Sequence, residues 1–166
     1  MATNHTLSSG DYFRPYRPIA GSHPIAEARE ATGQTYRYGT LLEGGASTDA
    51  GRIQQASTSG STITSSAIVG IAAEPASSVA DTKRIYFEAN PNVEFWGRTI
   101  RGVLGTSCVY TSYGLAYDDT LGINLVDLGN TASTSLRVTV TRLIDEVGDS
   151  GGAVAFRFGV NRTNFY

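Results

Sequence analysis

Several residue types are scarce in this chain of 166 residues, and each scarcity closes a class of chemistry. There is one cysteine, Cys108, so no internal disulfide can form, and one cysteine cannot make a zinc site. Only two histidines are present, His5 and His23, which leaves few candidates for a general base. No His-x-x-x-His, Cys-x-x-Cys or EF-hand spacing occurs, so no metal ligands are assigned. Glycines are common, but no Gly-Lys-Ser/Thr follows Gly39, Gly44, Gly45 or Gly51, which rules out a phosphate loop. No cofactor is expected. No run approaches the roughly 18 apolar residues of a membrane span. The first residues have neither a basic start nor an apolar centre, so a secretory signal is not expected either. A formal net charge of −2 lacks the basic footprint of a nucleic-acid or anionic-membrane binder.

What is abundant points elsewhere. The 19 glycines accompany many Ser, Thr and Ala residues. Of the 13 basic residues only Lys83 is a lysine. Arginine's planar fork suits interface contacts, although a GC-rich genome would favour the same codons.

From Tyr36 onward the pattern is strands separated by turns. Candidate strands cover 36–43, 51–56, 67–74, 83–88, 93–96, 100–104, 108–113, 122–128, 135–144 and 153–160. Leu136, Val138 and Val140 share one face, with Arg137, Thr139 and Thr141 opposite; Val154, Phe156, Phe158 and Val160 do the same, with Ala155, Arg157 and Gly159 outward. Arg142 falls on the apolar face, which suggests a bulge or a strand end. Residues 24–31 (PIAEAREA) are the only plausible helix, with Pro24 at a first-turn position and Gly33 beyond its end. The reading is an all-β chain: residues 23–166 as one β domain, at most one short helix, and residues 1–22 as an extended N-terminal arm. That arm contains Asp11-Tyr-Phe-Arg-Pro-Tyr-Arg-Pro18. Its prolines forbid helix, while the aromatics Tyr12, Phe13 and Tyr16, interspersed with Arg14 and Arg17, are apolar enough to order against a partner. An ordinary edge strand packed on its own domain would carry the same residues.

Gly148-Asp149-Ser150-Gly151-Gly152 matches the GDSGG around the nucleophile of trypsin-like serine proteases. Neither histidine lies in that family's setting, and the segment also suits a glycine-rich hairpin joining strands 135–144 and 153–160. No catalytic residue is assigned, and the chain is expected not to be an enzyme. Asp118-Asp119 and Asp145-Glu146 read as turn or surface carboxylates, and Cys108 as a small core residue. Tyr36, Tyr38, Tyr110, Tyr113 and Tyr117 are the residues a sugar-binding face would use.

The segment from Tyr38 to Trp96 has a recognisable order. It runs Tyr-Gly-Thr-Leu-Leu, Gly51-Arg-Ile-Gln-Gln-Ala, Ala67-Ile-Val-Gly-Ile-Ala-Ala73, Arg84-Ile-Tyr-Phe-Glu and Val93-Glu-Phe-Trp96. This order resembles the lambda-type head decoration proteins and the wider structural cement proteins of tailed phages. The stretches Tyr113-Gly-Leu-Ala-Tyr117 through Val140, and Val147 to Phe158, look like the strands that larger cement proteins add. The resemblance implies a small β-barrel, a β-tulip, with added C-terminal strands. It implies a homotrimer, or alternatively a dimer, seated on the outer capsid surface of the virion after synthesis in the host cytoplasm. Its partner would be the major capsid protein, whose neighbouring subunits it would clamp. Tyr12, Phe13, Arg14, Tyr16 and Arg17 are then the expected capsid-binding residues. A β-rich virion adhesin or glycan-binding module is the alternative, with the trypsin-like protease behind it.

Overall fold

The computed structural model describes residues 2–18, 22–45, 49–65, 67–131 and 138–159. It is all-β. The strands are β1 (Arg14–Pro18), β2 (Ile25–Glu30), β3 (Leu41–Gly44), β4 (Arg52–Gln55), β5 (Thr58–Ser59), β6 (Thr62–Ile63) and β7 (Ile68–Ala72). Then come β8 (Lys83–Glu88), β9 (Val93–Ile100), β10 (Ser112–Asp118), β11 (Ile123–Asp127), β12 (Val138–Leu143) and β13 (Ala153–Phe158). A 3-10 turn lies at Thr106–Cys108.

Strands β2, β4, β3, β7 and β8 close a five-stranded barrel. Its interior is filled by Tyr36, Leu42, Ile53 and Ala72, with Ala28, Val69 and Tyr86 beside them. The remaining eight strands form one sheet that β1 begins and β5 ends. Strand β11 pairs with both β10 and β9, so β9, β13, β12, β10 and β11 form a second ring. Leu41, Ile68 and Ile71 leave the first barrel on its outer face and join Phe13, Phe95, Leu115, Val140 and Phe156 in one core. Along β3, Leu41 and Leu42 alternate between the two interiors; along β7, the register irregularity opposite Leu42 and Glu43 puts both Ile68 and Ile71 on the common core and both Val69 and Ala72 on the barrel side.

Several expectations change. Residues 24–31 are not a helix but contain strand β2, with Ala26, Ala28 and Glu30 turned inward and Ile25, Glu27 and Arg29 outward. Helix propensity in Ala and Glu is a weak preference, and it yields here to five cross-strand pairs with β8. The candidate 93–96 runs on to Ile100 as strand β9, whose Gly97 lies against the Phe13 ring, whereas of the candidate 100–104 only Ile100 is strand and Val103 makes an isolated bridge to Ser150. The expected 36–43 strand starts only at Leu41, because Arg37 to Thr40 form a tight turn around Gly39. Gly39 has φ +79°, and a Cβ there would lie 2.6 Å from Tyr12 Cβ.

Near 108–113 the strand runs instead over Ser112–Asp118. The expected hairpin between β12 and β13 is present, with a register shift between Val140 and Arg142 that turns Arg142 to solvent. Residues 135–137 and 160 lie outside the described residues. Ala155, expected to face outward, is fully buried directly opposite Trp96.

Candidate docking edge and the latched GDSGG loop

The leader lies on the domain. Strand β1 pairs antiparallel with β9, from Arg14 opposite Trp96 to Pro18 opposite Val93, with an irregularity between Pro15 and Arg17. Proline tolerates this position because an edge strand needs hydrogen bonds on one side only. Phe13, expected to reach a partner, is fully buried, its ring 4.8 Å from that of Phe156. Burying a phenylalanine is worth about 2–3 kcal/mol, enough to hold the leader down. Residues 1–22 are therefore not a separate arm where they are described. They complete the sheet and its core.

The other four expected binding residues are placed differently. Tyr12 is half-buried, edge-on to Tyr38 at 4.8 Å. Arg14 is exposed and covers the Trp96 ring at 4.3 Å. Tyr16 is 41% exposed, which is high for a tyrosine in a strand. Arg17 is exposed but is bonded to the buried carboxylate of Glu94, which Arg157 also approaches at 3.6 Å. Burial pushes the Glu94 carboxyl up, but hydrogen bonds from Arg17 and Thr141 outweigh it and hold the group below the usual glutamate value. Arg14, Tyr16 and Arg17 thus present an exposed aromatic and two guanidinium groups along a sheet edge whose outer backbone pairs with no described strand.

A second constellation was invisible in the sequence. Residues 3–5 are held against the loop that contains GDSGG. His5 N donates to Ser150 O at 2.9 Å, and Ser150 N donates to Thr3 O at 3.0 Å. Asp149 is buried, and its carboxylate accepts Thr3 N at 2.5 Å and Glu146 N at 3.2 Å. His5 Nε2 stands 3.0 Å from Asp149 and 3.4 Å from Asp145. Asp145 accepts from Arg98 Nη1 at 2.6 Å and from Ala153 N at 2.9 Å, and Arg98 Nε reaches Asp11 at 3.1 Å. The hydrogen bond from His5, followed by that from Thr3 N, keeps the Asp149 carboxyl below the usual aspartate value. Nothing in local spacing could reveal a contact 144 residues apart in the chain.

This geometry bears on two chemistries. A serine nucleophile needs a histidine within hydrogen-bond reach. Ser150 Oγ has no hydrogen bond to a histidine among the described residues. His5 faces carboxylates, and His23 Nε2 is buried without a partner, its ring 6.3 Å from that of Phe95. Ser150 instead bridges Asn4 and Val103 through its backbone. His5, Asp145 and Asp149 do offer ligand atoms within 4.8 Å of one another and could hold a metal ion. Their facing oxygens, however, already accept hydrogen bonds from Arg98 and backbone amides, so the network is complete as a latch.

The five tyrosines do not form one face. Tyr36 fills the first barrel and Tyr113 the common core, while Tyr110 is 82% exposed at φ 62°. Cys108 is buried in the core, as expected of a small apolar residue. Asp118 caps the next turn through Thr120 N and Leu121 N, each at 2.9 Å. Among the described residues, no helix is long and apolar enough to cross a membrane. No protein-family model matches the chain, and no curated protein matches it.

Proposed function

We propose that the chain is a non-enzymatic structural protein of a phage virion, binding the outer surface of the expanded capsid and clamping neighbouring major capsid subunits. The observation that carries this reading is strand β1. It ends the large sheet, its outer edge faces no described strand, and it displays Arg14, Tyr16 and Arg17. An exposed edge of this kind is a template for adding a strand from a partner, with backbone hydrogen bonds for adhesion and the side chains for register. The closed barrel also supports the reading: four of its five strands, β3, β4, β7 and β8, lie within the Tyr38–Trp96 segment that carries the decoration-protein resemblance. The anchor is revised to an edge rather than a free arm, since Phe13 is committed to the core.

The test is co-sedimentation of purified protein with expanded heads of the parent phage that lack it. Bound protein is expected to raise the temperature at which those heads release their DNA. A folded sample that neither binds nor protects would overturn the proposal. Tyr16→Ala with Arg17→Ala locates the contact: it is expected to weaken binding at least tenfold, and unchanged binding would move the interface away from β1.

A further inference from the structure

The first barrel is closed by a very short seam. Strands β2 and β4 run parallel and meet at only two residue pairs, Arg29 with Arg52 and Glu30 with Ile53. Glu30 N donates to Thr82 O on the β8 side, and Ala31 N donates to Ile53 O on the β4 side. Alternation along the strand therefore turns the amides of Ile25 and Glu27 toward the β4 side as well. Strand β4 starts at Arg52, preceded by a turn through Gly51 at φ +78°, so it never reaches the level of those two amides. Neither has a partner there among the described residues.

Beside this unpaired stretch lies a cleft of about 590 Å³. That volume falls in the range of ligand sites, roughly 300–1,000 Å³. Its floor is apolar, with Ala28, Ile53 and Val69, and its rim carries Glu27 and Glu88. Gly44 leaves the far wall bare: a Cβ there would meet only Val69 Cγ1, at 3.9 Å. The nearby cation Arg52 is bound to Asp49 at 2.8 Å and Asp81 at 2.9 Å. Lys83 meets Glu27 at 2.6 Å, but both side chains are at least half exposed, and such pairs contribute little. No cation lies within ion-pair distance of Glu88 among the described residues. The rim is acidic, the floor is apolar, and one wall offers free backbone donors and acceptors.

We infer that this cleft receives an extended segment of a partner protein, roughly five residues long, as an added strand beside β2. Its inward side chains are apolar and reach Ala28, Ile53 and Val69. Its outward or terminal side chains are basic and meet Glu27 and Glu88. Backbone pairing supplies the adhesion, and the small residues on the walls supply the room. This receptor groove is distinct from the β1 edge, and it stands whether or not β1 contacts a capsid.

The test uses the full-length protein and amide hydrogen exchange followed by NMR. In the free protein Ile25 and Glu27 are expected to exchange quickly, and Ala26 and Ala28, which face β8, slowly. Three blocked hexapeptides are then added: alternating Val-Lys, alternating Val-Glu and alternating Ser-Gly. The Val-Lys peptide is expected to slow exchange at Ile25 and Glu27 and to bind at least tenfold more tightly than Val-Glu. Glu27→Pro, which removes an outward amide, and Gly44→Leu, which fills the cleft, are each expected to weaken that binding at least tenfold. If either variant fails to fold, the wild-type exchange and peptide data decide. Slow exchange at Ile25 and Glu27 without peptide would overturn the inference, as would equal or absent binding of the three peptides.

Discussion

At the scale of single residues, Phe13 and Gly97 show how closely the leader is fitted. A Cβ on Gly97 would sit 2.4 Å from Phe13 Cε1, so glycine is required by proximity rather than by φ. Gly97→Ala is expected to destabilise the fold by about 1–3 kcal/mol through overpacking. Phe13→Ala is expected to cost about 3–5 kcal/mol, because a cavity remains beside Phe95 and Phe156. Urea unfolding checks both. Combining Gly97→Ala with Phe13→Leu should recover part of the loss, since the smaller side chain makes room. Strictly additive effects would show that the two positions do not touch.

The carboxylates set a pH dependence with a definite sign. In Asp11, Glu43 and Glu94, burial pushes the carboxyl up, but hydrogen bonds outweigh it and the group ends below its ordinary value. In Asp149 the His5 hydrogen bond leads, with the same outcome. A folded-state value lower than the unfolded one means stability that is present above the ordinary range, about 4, and is lost as pH falls through the folded values. Urea midpoints are therefore expected to be level from about pH 5 upward and to fall between about pH 4 and 2. Glu94→Gln should lower the midpoint at pH 7 and flatten the acid limb. A wild-type midpoint unchanged from pH 5 to pH 2.5 would remove the argument.

At the scale of elements, legibility followed the hydrophobic period. Strands β4, β7, β8, β11, β12 and β13 fall within or beside the expected ranges because each alternates or runs apolar between turn residues. The break at Arg142 was also visible, since a charged residue on an apolar face points to a bulge or a strand end, and the register shift between Val140 and Arg142 shows it to be the bulge. Strand β2 was misread because Ala, Glu and Arg favour helices in isolation, and its partners in β8 lie more than fifty residues away. The two-residue strands β5 and β6 are too short to show a period at all.

The leader had two readings on the same residues, and the choice lay in tertiary contacts: room beside Gly97, the Tyr38 ring and the Glu94 carboxylate. The latch at Asp149 needed the same long-range knowledge. Removing residues 2–10 deletes the latch but keeps Phe13. It is expected to lower the thermal midpoint by a few degrees while preserving the β-sheet circular dichroism. Removing residues 2–18 takes Phe13 and an edge strand together and should unfold much of the large sheet. Equal effects of the two truncations would show that β1 adds no stability.

At the scale of the whole molecule, the proposed clamp depends on valency. A single β1 edge displays one exposed tyrosine and two arginines, a small area for an interface that must hold against internal pressure. A trimer carries three such edges, and once one is seated the others act at the effective concentration set by a rigid body, so avidity exceeds single-site affinity by about 10²–10⁴-fold. The resemblance that motivates the clamp also implies a trimer, and light scattering on the purified protein measures its mass directly. If a variant that stays monomeric still folds, it is expected to bind expanded heads weakly and to leave their thermal release of DNA unchanged, whereas the wild type protects them. A monomeric variant that protects as well as the wild type would mean that each copy bridges two capsid subunits by itself. The clamp would then have to use two surfaces of one chain, and the β1 edge and the β2 cleft are two candidates for them.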